Sequence, residues 1–198
     1  MKVLYPWINF SFKVPFYAGM VLLLLTLTAC SSNPANKGEG KNSKASGKQA
    51  KTLFVEAMAA IKAKRYEKGI LLYQRVIEKS DGNAVPYINL ALVYKEMGNY
   101  ELAEDYLLKA MRISPDNPIA QNEYAQILRK MGRFPEARKV YEKVLVKYPR
   151  FAIAHKNLGI LCDMYIRDYE CALKHYEAYS KITPDDKSVK IWISDLMR

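Results

Sequence analysis

Three cysteines and two histidines are the residues of this chain best suited to chemistry, and their spacing narrows what that chemistry is. Cys162 and Cys171 stand close together, with His175 one helical turn beyond Cys171. An even internal pair in an oxidising compartment suits a disulfide. The alternatives are a buried Cys162 beside an outward-facing Cys171, or a metal site completed by His175. Two cysteines and one histidine lack the paired spacing of a zinc site, so no metal is assigned. His155 and His175 fall on different expected helices. No nucleophile elbow, glycine-rich phosphate loop or metalloprotease helix occurs. The chain reads as a non-enzyme without a bound cofactor.

Cys30 is of another kind. It follows the apolar run Val21-Leu22-Leu23-Leu24-Leu25 and closes the tetrad Leu27-Thr28-Ala29-Cys30. Lys2 and Lys13 precede that run, and small residues lead into the cysteine, which is the build of a secretory signal over residues 1–29. The apolar stretch is shorter than the roughly 18 residues expected of a spanning helix. The tetrad resembles the lipobox of bacterial lipoproteins, which implies a diacylglycerol on Cys30 and loss of everything before it. The alternative is an uncleaved N-terminal anchor. Either way the lysines stay inside and the remainder faces out of the cytoplasm. Ser31, where an aspartate would signal inner-membrane retention, implies the periplasmic face of the outer membrane.

Removal of residues 1–29 takes Lys2 and Lys13 with it and leaves 29 basic against 20 acidic residues. Export, scattered charge and the lack of a recognised module exclude nucleic acid as the partner. Residues 30–51 hold the cysteine and then SSNPANKGEGKNSKASGKQAK, without one large apolar side chain. That composition predicts a flexible lysine-, glycine- and serine-rich linker, spanning roughly 25 Å as a coil. Its lysines could graze anionic head groups, although a solvated spacer is the better account of them.

The elements that must position these residues show in the self-similarity of the chain. In residues 84–117, Tyr87, Leu90, Ala91 and Tyr94 mark one stripe of a first helix, and Tyr100, Ala103, Leu107 and Ala110 one stripe of a second. Gly98-Asn99 allows the turn between them, and Pro115 ends the pair. Residues 118–151 repeat the plan, residues 152–186 repeat it with one inserted residue, and residues 50–83 give a degenerate first unit. This pattern resembles the tetratricopeptide repeat (TPR). The resemblance implies an all-α superhelical solenoid of about four helix-turn-helix repeats over 52–186, with residues 187–198 as a capping helix. Most of the tyrosines, Tyr169 among them, fall at expected core positions.

The resemblance also implies a groove, lined by the first helix of each repeat, that binds protein or peptide segments. Ile88, Asn89, Leu92, Asn122, Gln126, Arg129, Lys156 and Asn157 are the candidate groove residues, with Val85, Lys95, Glu123, Ile153 and Ile160 beside them. Ile119 and Glu123 stand where a carboxylate-gripping subset of these domains carries basic residues, so capture of a chaperone-type C-terminal tail is not expected. The whole reads as a lipid-anchored scaffold for protein segments of an envelope complex. Similarity in layout to type IV pilus pilotins puts pilus or secretin biogenesis first. Similarity of the last repeat and tail to TPR proteins associated with TonB-type uptake supplies the alternative. Oligomeric state stays open.

Overall fold

The computed structural model describes residues 39–80 and 82–198, with side chains from Gly47 onward. The signal over residues 1–29, Cys30 and the linker up to Gly38 lie outside the described residues. Helices α1 (Glu39–Lys62) and α2 (Tyr66–Lys79) form a first antiparallel pair. They are followed by α3 (Val85–Glu96) with α4 (Tyr100–Ile113), and by α5 (Pro118–Lys130) with α6 (Phe134–Lys147). The last pair is α7 (Ala152–Leu161), continued by a π-helical turn over Cys162–Ile166, with α8 (Tyr169–Ile182), and α9 (Lys187–Leu196) closes the array. Each helix packs on its partner, and each second helix also packs on the first helix of the element that follows. The described residues contain no strand.

Local chemistry explains the regularity. Each second helix opens with an acid in its first turn (Glu67, Glu101, Glu136, Glu170) and closes with a base in its last (Lys79, Arg112, Lys147, Lys181). Both ends thereby complement the helix dipole. Asn99, Asn117, Asp168 and Asp186 cap α4, α5, α8 and α9 by accepting backbone N–H groups. Gly98 and Gly132 reverse the chain after α3 and α5 at φ of +77° and +78°. The first and last pairs make the same reversal with Lys64 and Arg167, at φ of 57° and 62°, where a side chain costs about 1 kcal/mol.

Packing joins the pairs through small residues where helices cross. Ala91, Ala103, Ala125, Ala137 and Ala172 are all buried. The space between is filled by Tyr73, Tyr141 and Tyr176, and by Tyr94 stacked on Tyr106 with centroids 5.4 Å apart. Tyr169 departs from the expected core placement: as the first residue of α8 it is 54% exposed. On α9, Val189 is buried, and Trp192, Ile193 and Leu196 pack on the core of the last repeat.

The expected linker over 30–51 is too long. Helix α1 begins at Glu39, and Ala50 is buried in the core of the first repeat. The stretch lacks large apolar side chains, but a helix already nucleated by Leu53, Ala57 and Ala60 propagates backward at little cost per residue. The small Ala50 then fits against its neighbours.

The inserted residue of the last repeat is absorbed at the end of α7. The helix loosens into the π turn, and the Asp168 N–H donates to the Cys162 carbonyl at 2.9 Å. A Cys162–Cys171 disulfide, with Cα atoms 5.9 Å apart, ties that turn to α8. Cys171 is therefore bonded and buried, not outward-facing, and neither sulfur is a free thiolate for a metal. Closing a loop of this size is worth about 3 kcal/mol by chain entropy. Joint replacement by Cys162→Ala and Cys171→Ala is expected to lower the unfolding free energy by about that amount. An unchanged urea midpoint would show that the bond constrains nothing.

Candidate protein-binding face

The first helices α3, α5 and α7 lie side by side and build one face of the solenoid. Its floor is occupied by the protein's own polar groups. Lys95 Nζ donates to Glu123 Oε2 at 2.6 Å, and Gln126 Nε2 donates to Glu123 Oε1 at 2.8 Å. Asn157 Nδ2 donates to Asn122 Oδ1 at 3.0 Å, bridging α7 to α5. Ile88, Asn122 and Asn157, three of the candidate groove residues, are buried. They do not present a surface to a partner, because adjacent first helices approach closely and side chains at these positions meet one another.

Two more candidates are engaged. Lys156 Nζ donates to Asp186 Oδ2 at 2.8 Å and lies 5.1 Å and 5.4 Å from the ring centres of Tyr179 and Trp192. Lys156, with the Tyr179 hydroxyl, holds the Asp186 carboxyl down at about 2. Asp186 also caps α9, so Lys156 fastens the final helix. Arg129 Nη1 donates to the Tyr165 hydroxyl at 3.0 Å, and its guanidinium lies over that ring. Arg129 Nε and the Tyr141 hydroxyl are buried without a hydrogen-bond partner among the described residues. Asn89, Leu92, Gln126 and Arg129 keep partial exposure.

What the face does offer is apolar. Val85, Ile119 and Ile153, spaced 34 residues apart, occupy the first turns of α3, α5 and α7 and are 45%, 53% and 42% exposed. Val85 and Ile153 read from the sequence as groove positions. Ile119 read only as a departure from a carboxylate grip, although the 34-residue interval is the signal that unites all three. Water-exposed aliphatic side chains at one position of three successive repeats form a ledge for apolar side chains of a bound segment.

Behind this face, α7 and α8 bring His155 and His175 together, their Nδ1 atoms 3.0 Å apart. His155 Nε2 faces the Pro149 carbonyl at 3.0 Å and must donate to it, so His175 Nδ1 donates to His155 Nδ1. Burial, then His155, Lys174 and Arg138, draw the His175 pKa down to about 4, with Glu142 opposing weakly. The folded pKa lies below the unfolded value near 6.5, so the neutral ring's contribution is whole above that value. It is lost as the pH falls from about 6.5 toward 4. After allowance for partial solvent screening, about 2 kcal/mol of stability should disappear over that window. His175→Gln is expected to flatten the profile in urea melts taken from pH 7 to pH 4.5, and an identical slope would remove the pair as its cause.

Models of the tetratricopeptide repeat match residues 97–158 and 72–105. The structure of pilF from Pseudomonas aeruginosa superposes with a TM-score of 0.69 at 18% identity, covering 77% of this chain and 69% of that one. The described residues fold as a TPR solenoid. YrrB, described as a TPR protein with an unusual peptide-binding site, superposes at 0.60 with 20% identity, covering 71% of this chain and 72% of its own. In sequence, the small glutamine-rich TPR-containing protein 2 of Mycosarcoma maydis is 28% identical over 111 residues, 56% of this chain. This TPR chain spans about a third of that relative, 32% of its length. These likenesses establish the repeats and the solenoid fold.

Proposed function

We propose that this TPR chain is an outer-membrane lipoprotein, anchored through Cys30 on the periplasmic side, that positions protein segments during assembly of an envelope machine. The observation that carries the scaffold is the exposed row Val85, Ile119 and Ile153 above a floor already satisfied by internal hydrogen bonds. Such a surface holds apolar side chains of an extended segment and offers no set of free cations to grip a carboxylate. The lipobox-like tetrad ending in Cys30 supports the anchor, and Ser31 supports outer-membrane sorting. Similarity of layout to pilotins, together with the likeness to pilF, favours type IV pilus or secretin biogenesis as the system served. The tail's resemblance to TonB-associated TPR proteins supports a role in energised uptake as the second reading. In neither does the chain catalyse a reaction.

Crosslinked recovery of the lipidated protein from its own envelope, followed by mass spectrometry, tests this. Pilus or secretin subunits are expected, and their loss on Ile119→Asp would place them on the apolar row. That variant changes an exposed side chain, whereas reversal of Lys156 or Arg129 would disturb internal contacts. Recovery of TonB-system components would favour uptake. Unaltered recovery by Ile119→Asp would remove the row as the binding surface.

A further inference from the structure

The first repeat carries an excess of positive charge that, among the described residues, ion pairs to neighbouring repeats do not offset. Between Gly47 and Ser80 there are eight lysines and arginines against three glutamates, a balance that residues 118–151 share but offset by pairing Arg133, Arg138 and Lys147 with acids of neighbouring repeats. The downstream repeats are knit by ion pairs that cross from one repeat to the next, Lys95–Glu123, Arg133–Glu104, Arg138–Asp168 and Lys147–Asp116, and Lys156–Asp186 ties the last repeat to α9. Among the described residues, Lys48, Lys51, Lys62, Lys64, Arg65 and Lys68 make no such pair and are exposed. Where the first repeat meets the second, the structure also leaves a hollow of about 560 Å³ between α1, the end of α2 and the start of α3. Phe54, Val55, Val76 and Val85 line it, with Lys51 at its lip. Val55, at 65% exposed, and Val85 leave its apolar wall open to water.

We infer that this junction docks a partner segment in which a large apolar side chain is flanked by aspartates or glutamates. This deepens the proposed function and rests on it. The apolar side chain fills the hollow, displacing water from Phe54, Val55 and Val85, and the flanking carboxylates meet the exposed Lys48 and Lys51. A basic segment would meet like charge, and a purely polar one would leave the hollow wet.

The test measures fluorescence anisotropy of short labelled peptides with the full mature chain. One peptide alternates glutamate with leucine around a central phenylalanine. A second replaces its glutamates by lysine, and a third replaces its apolar residues by serine. The first is expected to bind, more weakly as salt rises, and each replacement to weaken it at least about tenfold. Gly47 lines the hollow and a Cβ there meets nothing within 4 Å, so Gly47→Met extends into the space without a clash. Gly47→Met and Lys51→Glu should each weaken the first peptide about tenfold, with folding checked by circular dichroism. Val146→Asp, on the exposed side of α6 and outside both the row and the hollow, should leave it unchanged. Equal binding of the lysine peptide, or indifference to Gly47→Met, overturns the inference. Loss on Ile153→Asp but not on Gly47→Met also overturns it, while the reading of the face as a protein-binding surface stands. Absence of all peptide binding overturns the inference too, and if crosslinking also recovers no partner the proposed function falls with it.

Discussion

Cys30→Ala is expected to leave the membrane fraction, or to accumulate as a longer, uncleaved precursor. A diacylglycerol needs the thiol sulfur as its point of attachment, and alanine offers none. Each buried methylene of an acyl chain contributes about 0.8 kcal/mol, so a doubly or triply acylated cysteine holds its protein in a bilayer effectively permanently. None of the helices among the described residues is long and apolar enough to cross a membrane, so they supply no helical span in its place. Fractionation with an alkaline carbonate wash, alongside intact-mass measurement of the N-terminus, checks this. Cys30→Ala protein that sediments with membranes and is processed like wild type would end the lipoprotein reading. The scaffold would survive that result, because it rests on residues far from Cys30.

The second large effect lies in the last repeat. Gly159 packs so closely on α8 that a Cβ there would meet the Tyr176 ring at 2.5 Å. Tyr176 is buried and lies 5.4 Å, centroid to centroid, from Trp192, and its hydroxyl donates to Asp163 Oδ2 at 3.2 Å. The ring therefore has no easy retreat. Gly159→Leu must push α7 away from α8 or expel Tyr176, and overpacking of this kind costs about 3 kcal/mol or more. Thermal melts should show a drop of about 6–12 °C, on the rule of about 2–4 °C per kcal/mol for domains of 150–250 residues. Gly47→Ala is the matched control, since its Cβ enters open space and a helical glycine is replaced by the best helix former. That variant should melt at or above wild type. Similar melting of both variants would refute the close α7–α8 contact.

The repeat plan was legible because it is written in local terms. Tyr87, Leu90, Ala91 and Tyr94 repeat at helical spacing, and Gly98 and Gly132 recur 34 residues apart at the same turn. The single inserted residue of the last repeat was visible too, although not the π turn that absorbs it. The site was less legible. Asn122 and Asn157 occupy positions that face the groove in a generic repeat, and only the closeness of α5 to α7 turns them toward each other. Lys156 read as a groove cation until α8 brought Tyr179 and α9 brought Asp186 and Trp192 around it. The beginning of the domain was misjudged because Ala50 signals burial poorly by composition, being small enough to fit equally well in a spacer.

By itself, the sequence determined what depends on residues near one another along the chain. That covers helix periodicity, caps and turns, the number of repeats, and the expectation of a lipidated Cys30. The tertiary structure decided what depends on neighbours 30 or more residues away. It determined which polar side chains satisfy one another, and which aliphatic ones remain in water as Val85, Ile119 and Ile153 do. It also left an unfilled hollow beside a repeat whose exposed lysines lack, among the described residues, the cross-repeat ion pairs of the others. The reason is physical: burial and ion pairing are set by distances across the solenoid, and those follow from how closely neighbouring helices pack rather than from any single helix.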